Sequence, residues 1–294
     1  MQRYFTWDGF PPRDTLRFPT VSLGGHDMTA ISMAYDLPNE RFVIAADGRC
    51  ALKGIGGEIE TKTDEQQKIF PVESEFMSMV YAMTGFAGFG NGLFETIVEG
   101  GEVIRSLYKC RFHDGYEFTK KFSENMANAV QVARKTGRFP VIPPSEGLAA
   151  GEQGRIFKFY LLGYYGGFPF FTESRFYHIE ETDHIQVRGS NPELCQSQTL
   201  FTGSDLIAAM IYGNAPTDPR IAKHKPAQSA DALEVATGFI NACSDPAAVE
   251  IDRWCRIVGG RLHAAEISQS GFRWLIRPTE QTTPSAFQTS TDLL

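Results

Sequence analysis

The sequence lacks most of the features that would classify it quickly. No apolar run approaches the roughly 18 residues of a membrane span, so no membrane partner is expected. Basic residues are in the minority, 28 Lys and Arg against 35 Asp and Glu, for a formal net charge of -7. Neutralising phosphates needs a basic surface, so no nucleic-acid partner is expected either. The five cysteines, Cys50, Cys110, Cys195, Cys243 and Cys255, are scattered and contain no Cys-x-x-Cys pair. In a chain of this length they predict reduced core thiols and a cytoplasmic protein. The six histidines have no metal-ligand spacing. Hydrogen-bonded or solvated histidines are therefore expected, with no metal and no cofactor. The start, "MQRYFTWDGFPP", lacks a basic segment followed by an apolar one, so no signal peptide is expected.

What the chain does have is apolar material. Hydrophobic residues make up 42% of its 294 residues and aromatic ones 12%, enough for a substantial core. Residues 1–27 mix prolines, glycines and isolated aromatics, which predicts an extended arm docked on a domain or a partner through Phe5, Trp7, Phe10 and Phe18. Two strands follow, over 29–35 and 41–46, joined by a turn at Pro38-Asn39. Both are apolar on successive residues, so each is covered on both faces. A third strand, 75–85, ends at Gly85. Leu93, Phe94, Ile97, Val98, Ile104, Leu107 and Tyr108 recur at helical spacing, as do Phe118, Phe122, Met126, Val130 and Ala133. Residues 137–154 form a Pro- and Gly-rich loop. Strands are predicted at 156–163, around 168–171 and at 175–179, and a helix over about 205–212. Another helix begins near Ser229 as N-cap. The last strands are 261–268 and 272–277, and the Ser-, Thr- and Gln-rich tail from Pro278 is expected to be disordered. This predicts an arm (1–27), one domain (28–277) and a tail (278–294). The fold class is α/β (α+β), layered, with mostly antiparallel strands.

Six stretches carry a resemblance. In order they are "TAISMAY", "FVIAADGRC", "QQKIFPV", "AMTGFAG", "LFTGS" and "IVGGRLHAAEI". Together they resemble proteasome subunits and their simpler bacterial relatives, over about residues 28–277. The resemblance implies the N-terminal-nucleophile hydrolase fold, a four-layer αββα sandwich, and a homo-oligomeric ring. In that family the hydroxyl of an N-terminal threonine attacks an amide carbonyl, and the threonine's own α-amine acts as base. The resemblance makes Thr29 the candidate nucleophile, Asp47 and Lys68 the tuning acid and lysine, Gly85 the oxyanion-loop glycine and Ser204 the supporting serine. Each has a plainer explanation. Thr29 can be a strand residue, Asp47 turn chemistry before Gly48, Lys68 a surface lysine, Gly85 a turn residue, and Ser204 a helix cap.

The sequence also departs from the family pattern. Laying Ser32 on the family's small strand position puts Met28, not Thr29, in the nucleophile's place. The other register puts Thr29 first but sets Met33 on the small position, and a one-residue slip turns every side chain over. Matching Gly259-Gly260 to the family's paired glycines leaves Cys255 and Val258 where an acid and a serine support the amine. Asp245 and Asp252 are nearby but off that spacing. His26-Asp27 precede Met28 where active precursors carry glycine. The expected function is therefore a ring-forming homologue without its nucleophile. The alternative is a threonine-type peptidase or amidohydrolase with Thr29 exposed by processing or by an internal start at Met28. No GxxxxGK[ST] loop is present, so an ATP-dependent unfoldase would be a separate chain.

Overall fold

The structure, a computed structural model, describes residues 3–6, 29–53, 59–85, 94–139, 154–191, 194, 199–213, 215–227 and 229–278. In chain order its strands begin with β1 (Arg3–Thr6), β2 (Ile31–Asp36), β3 (Arg41–Ala46), β4 (Cys50–Lys53), β5 (Ile59–Thr63), β6 (Ile69–Ser74) and β7 (Met77–Gly85). After helices α1 (Thr96–Leu107) and α2 (Gly115–Lys135) come β8 (Arg155–Tyr165), β9 (Phe168–Ile179), β10 (His184–Asn191) and β11 (Thr199–Thr202). Helices α3 (Asp205–Ile211), α4 (Ala232–Ser244) and α5 (Ala248–Ile251) lead to β12 (His263–Ser268) and β13 (Gly271–Ile276).

Two antiparallel sheets result. One has the order β1-β10-β9-β8-β7-β6, the other β11-β2-β3-β12-β13, and β4 and β5 form a separate pair. Side-chain alternation along each strand explains how they stack. Ile31, Met33 and Tyr35 of β2 join Ile44 of β3 and Val80, Leu162 and Phe171 of the other sheet in one buried cluster. The alternate residues Ala30, Val43 and Ala45 pack instead on Ile207 of α3 and on Phe239 and Ile240 of α4. On the far face of the first sheet, Tyr81, Phe159 and Phe176 pack on Ile104 of α1 and on Phe122 and Met126 of α2. The layers run helix, sheet, sheet, helix. With both faces of each sheet covered, β2 and β3 need no polar face, hence their nearly unbroken apolar runs.

Several boundaries differ from the sequence expectation. The strands expected at 168–171 and 175–179 are one strand, β9, and β4, β5, β6, β10 and β11 were not expected. The cap of α4 is Asp231, whose carboxylate accepts from the Glu234 N–H, not Ser229. Cys243 and Cys255 are buried core thiols, but Cys110 is exposed and Cys50 half-buried. Part of the arm is a strand: β1 lies antiparallel along the edge of β10, with Thr6 opposite Arg188. Of the arm's expected anchors Phe5 lies in β1, whereas Trp7, Phe10 and Phe18, Leu93, most of the 137–154 loop and the tail beyond Pro278 lie outside the described residues.

Candidate functional site

β3 ends at Ala46, opposite Ile31 at the start of β2, and the pairing runs one step further. The Asp47 N–H donates to the Ala30 carbonyl (3.2 Å), and the Ala30 N–H donates back to Asp47 Oδ1 (2.9 Å). Asp47 is wholly buried. Its Oδ1 also takes Lys68 Nζ at 3.0 Å, and its Oδ2 takes the Gly259 N–H at 3.1 Å and the Arg49 N–H at 3.3 Å. Burial pushes this carboxyl above its ordinary value, against the pull of the Lys68 ammonium and of the Gly259 and Ala30 N–H groups. All four donors match its ionised form. Lys68, also buried, sends a second hydrogen bond to the Arg49 carbonyl (2.5 Å). Gly48 between them is required by space, because a Cβ there would lie 2.6 Å from the carbonyl oxygens of both Arg261 and Asp64.

Thr29 is buried beside this pair. Its Cα is two covalent bonds from the nitrogen held on Asp47 Oδ1. Alternation places it in the row of Ile31, facing the other sheet, whereas Ala30 faces the helices. β11 pairs with β2 with Thr202 opposite Ile31. Continuing that register sets Gly203 against Ala30, where a Cβ on Gly203 would lie 3.5 Å from Ala30 Cα, and the chain then turns into α3 at Ser204. Ser204 Oγ donates to Asp252 Oδ2 at 2.5 Å and accepts from the Ile207 N–H at 3.1 Å, so it does cap α3. Asp252 Oδ1 in turn accepts from the Trp254 N–H.

The candidates thus divide. Asp47 and Lys68 are bonded directly, Thr29 adjoins them through Ala30, whose N–H is held on Asp47, and Ser204 follows Gly203, which lies against Ala30. Gly85 ends β7 at φ 99°, against the backbone of Ile156 and Phe157, and has a packing reason to be glycine. The oxyanion loop expected after it falls on residues 86–93, outside the described residues, as does Met28. Cys255 and Val258 lie buried behind the second sheet with Cys243 and Phe239. A hydrogen bond with Cys255, with burial second, pushes the Cys243 thiol up. Neither Cys255 nor Val258 supplies the acid and hydroxyl that its matched position would require. Asp252 and Ser204 do supply such a pair, three positions before the matched acid slot. In the sequence Asp252 is one of the two acids near this position but off the matching spacing.

His263 was missed. At the start of β12, opposite Ala46, it shares the row of Ala265 and Ile267 and faces the first sheet. Its Nε2 accepts the Lys68 backbone N–H at 3.0 Å, which places the ring proton on Nδ1, 3.5 Å from the Arg261 carbonyl. Burial and the Lys68 ammonium push its pKa down from 6.5 to about 4. The unfolded chain therefore binds the proton first as pH falls. Stability should decline between about pH 6.5 and 4, by up to about 3 kcal/mol. Urea titrations at neutral pH and at about pH 5 should show a smaller acid loss for His263→Gln than for the native chain. An equal loss would mean that His263 titrates normally.

Among the described residues, no group of three or more His, Cys, Asp or Glu could hold a metal ion, and no helix is long and apolar enough to cross a membrane. In comparisons with known proteins, no protein-family model and no curated protein matches the chain.

Proposed function

We propose that this chain is an amide hydrolase of the N-terminal-nucleophile type. Thr29 is its nucleophile, silent while residues 1–28 remain attached, and the subunits form a homo-oligomeric ring. One observation carries the reading. The Ala30 N–H rests on the Asp47 oxygen that also holds Lys68, which sets the preceding residue, Thr29, at the buried ion pair. This supports the register that puts Thr29 rather than Met28 first.

The chemistry follows from the groups present. In a chain that carries residues 1–28, the Thr29 nitrogen is an amide and cannot act as base. Once freed, an α-amine titrates near 7.7–8.0 and can take the hydroxyl proton at neutral pH. The oxygen adds to a substrate amide carbon. The amine passes the proton to the departing nitrogen, and water then cleaves the Thr29 ester. The Lys68 ammonium, held by Asp47, lowers the cost of negative charge on the threonine oxygen. Ser204 and Asp252, bonded to each other, are the hydroxyl and acid pair that this reading assigns to orienting the amine. The unprocessed chain would be the catalytically silent ring subunit that the departures at Cys255 and Val258 suggest.

The test compares the 294-residue chain with one whose first residue is Thr29, using an electrophile that captures a hydroxyl and its neighbouring amine together. The shortened chain should be labelled at Thr29 and should cleave an amide probe at least ~10²-fold faster than its Thr29→Ala variant. The long chain should do neither. A folded shortened chain without label would sink the hydrolase reading. A monomer by native mass measurement of the same samples would sink the ring.

A further inference from the structure

We propose that His263 is a positioning residue of this site, holding the main chain of Lys68 so that its ammonium meets Asp47. The inference rests on the hydrolase reading only for its kinetic consequence, because the positioning itself is structural. Lys68 is anchored at two points. Its side chain is fixed by Asp47 Oδ1 and the Arg49 carbonyl. Its main chain leaves residues 64–68, which are in neither strand nor helix, to enter β6 at Ile69. There the Lys68 N–H donates to His263 Nε2. A backbone N–H buried at a strand entrance must find an acceptor, and an imidazole from the opposite sheet supplies it. The bond spans 195 positions of sequence and pins the start of β6 to the start of β12.

The ring is itself held. It is almost wholly buried and meets the Trp274 ring edge-on, with centroids 6.2 Å apart. The charged groups of the surrounding segments are Lys68 before β6, Asp47 and Arg49 after β3, Asp64 and Glu65 between β5 and β6, and Arg261 before β12. Arg49 is paired with Asp64 (2.7 Å), and Lys68 is the cation whose charge bears on His263. Only the neutral imidazole with its lone pair on Nε2 can accept this N–H. Protonation would set a second N–H against the first and add a cation beside an ammonium.

The experiment follows the side-chain resonances of Lys68 in lysine-labelled protein, using the full chain, where no activity is needed. In the native protein, acid titration should move the His263 and Lys68 resonances with one midpoint. In His263→Gln, whose amide oxygen can still accept the N–H, the Lys68 resonance at neutral pH should stay near its native position, and the movement tied to His263 should vanish. In His263→Leu the Lys68 resonance should shift at neutral pH. In the chain beginning at Thr29, electrophile labelling should slow about 10- to 100-fold with Leu and recover with Gln. A Lys68 resonance that ignores the His263 titration, or is unchanged in folded His263→Leu, overturns the inference. If His263→Leu does not fold, the native titration and the Gln variant decide. Absence of labelling in every chain would instead count against Thr29 as nucleophile and leave the resonance result standing.

Discussion

Replacing Lys68 with methionine should destabilise the protein by about 3–5 kcal/mol. Methionine keeps most of the side-chain volume, so little of the loss comes from a cavity. The loss comes from Asp47. Its side chain is wholly buried and that of Lys68 is 8% exposed, so neither has water to turn to. Without the ammonium, the carboxylate keeps only the Ala30, Gly259 and Arg49 N–H donors. A buried charge stripped of its counter-charge either stays ionised at high cost or takes up a proton and loses the donors' match. The destabilisation should therefore shrink as pH falls and the carboxyl protonates. Adding Asp47→Asn should cost less than the two single losses summed, because each single change strands the other partner. Urea denaturation with an unchanged slope reads both. A Lys68→Met loss below about 1 kcal/mol would mean that the pair is solvated like a surface ion pair.

Gly85→Ala should be nearly as damaging. The residue sits at φ 99°, where an L side chain is strained by about 1–2 kcal/mol. A Cβ would lie 2.6 Å from the Ile156 carbonyl and 2.8 Å from Phe157 Cα, and backbone cannot swing aside as a side-chain tip can. Overpacking adds about 1–3 kcal/mol, for a total of about 2–5 kcal/mol. Gly137 provides the control. Its φ is 72° but nothing lies within 4 Å of its added Cβ, so Gly137→Ala should cost only the conformational part. Equal losses at the two glycines, measured by thermal or urea unfolding, would remove the packing argument at Gly85.

How far the sequence could be read depended on where each residue's partner lies. β3 and α2 were legible because their apolar spacing is a local property. β9 was split in two at Thr172, Glu173 and Ser174, which look like a polar break. In the fold Thr172 and Ser174 bond Thr119 and Ser123 of α2, and Glu173 pairs with Lys158 and Arg175. Polar residues satisfied by a distant helix do not interrupt a strand, and nothing local announces that helix. β10 was missed because only Ile185 and Val187 mark its alternation. At α4, Ser229 and Asp231 are both good caps two residues apart, and composition does not choose between them. In the site, Asp47 and Lys68 were found through the resemblance. Asp252 stood out only as an acid off the matching spacing and His263 not at all, since their partners are 48 and 195 positions away and no spacing rule reaches that far.

The second sheet takes β2 and β3 from the beginning of the described domain and β11, β12 and β13 from its end, whereas the first draws β6 to β10 from the middle. This sets an order of events during synthesis. The middle strands and their helices can pair while the chain is still growing. The Asp47–Gly259 contact closes a separation of 212 residues, so the carboxylate lacks one of its donors until nearly all of the domain has been made. Closing so long a loop is slow, and until then β3 has a neighbour only on its β2 side. A nascent chain stalled before β12 would hold Asp47 and Lys68 without the segment that encloses them, and would expose the edge of β3 to any other strand within reach.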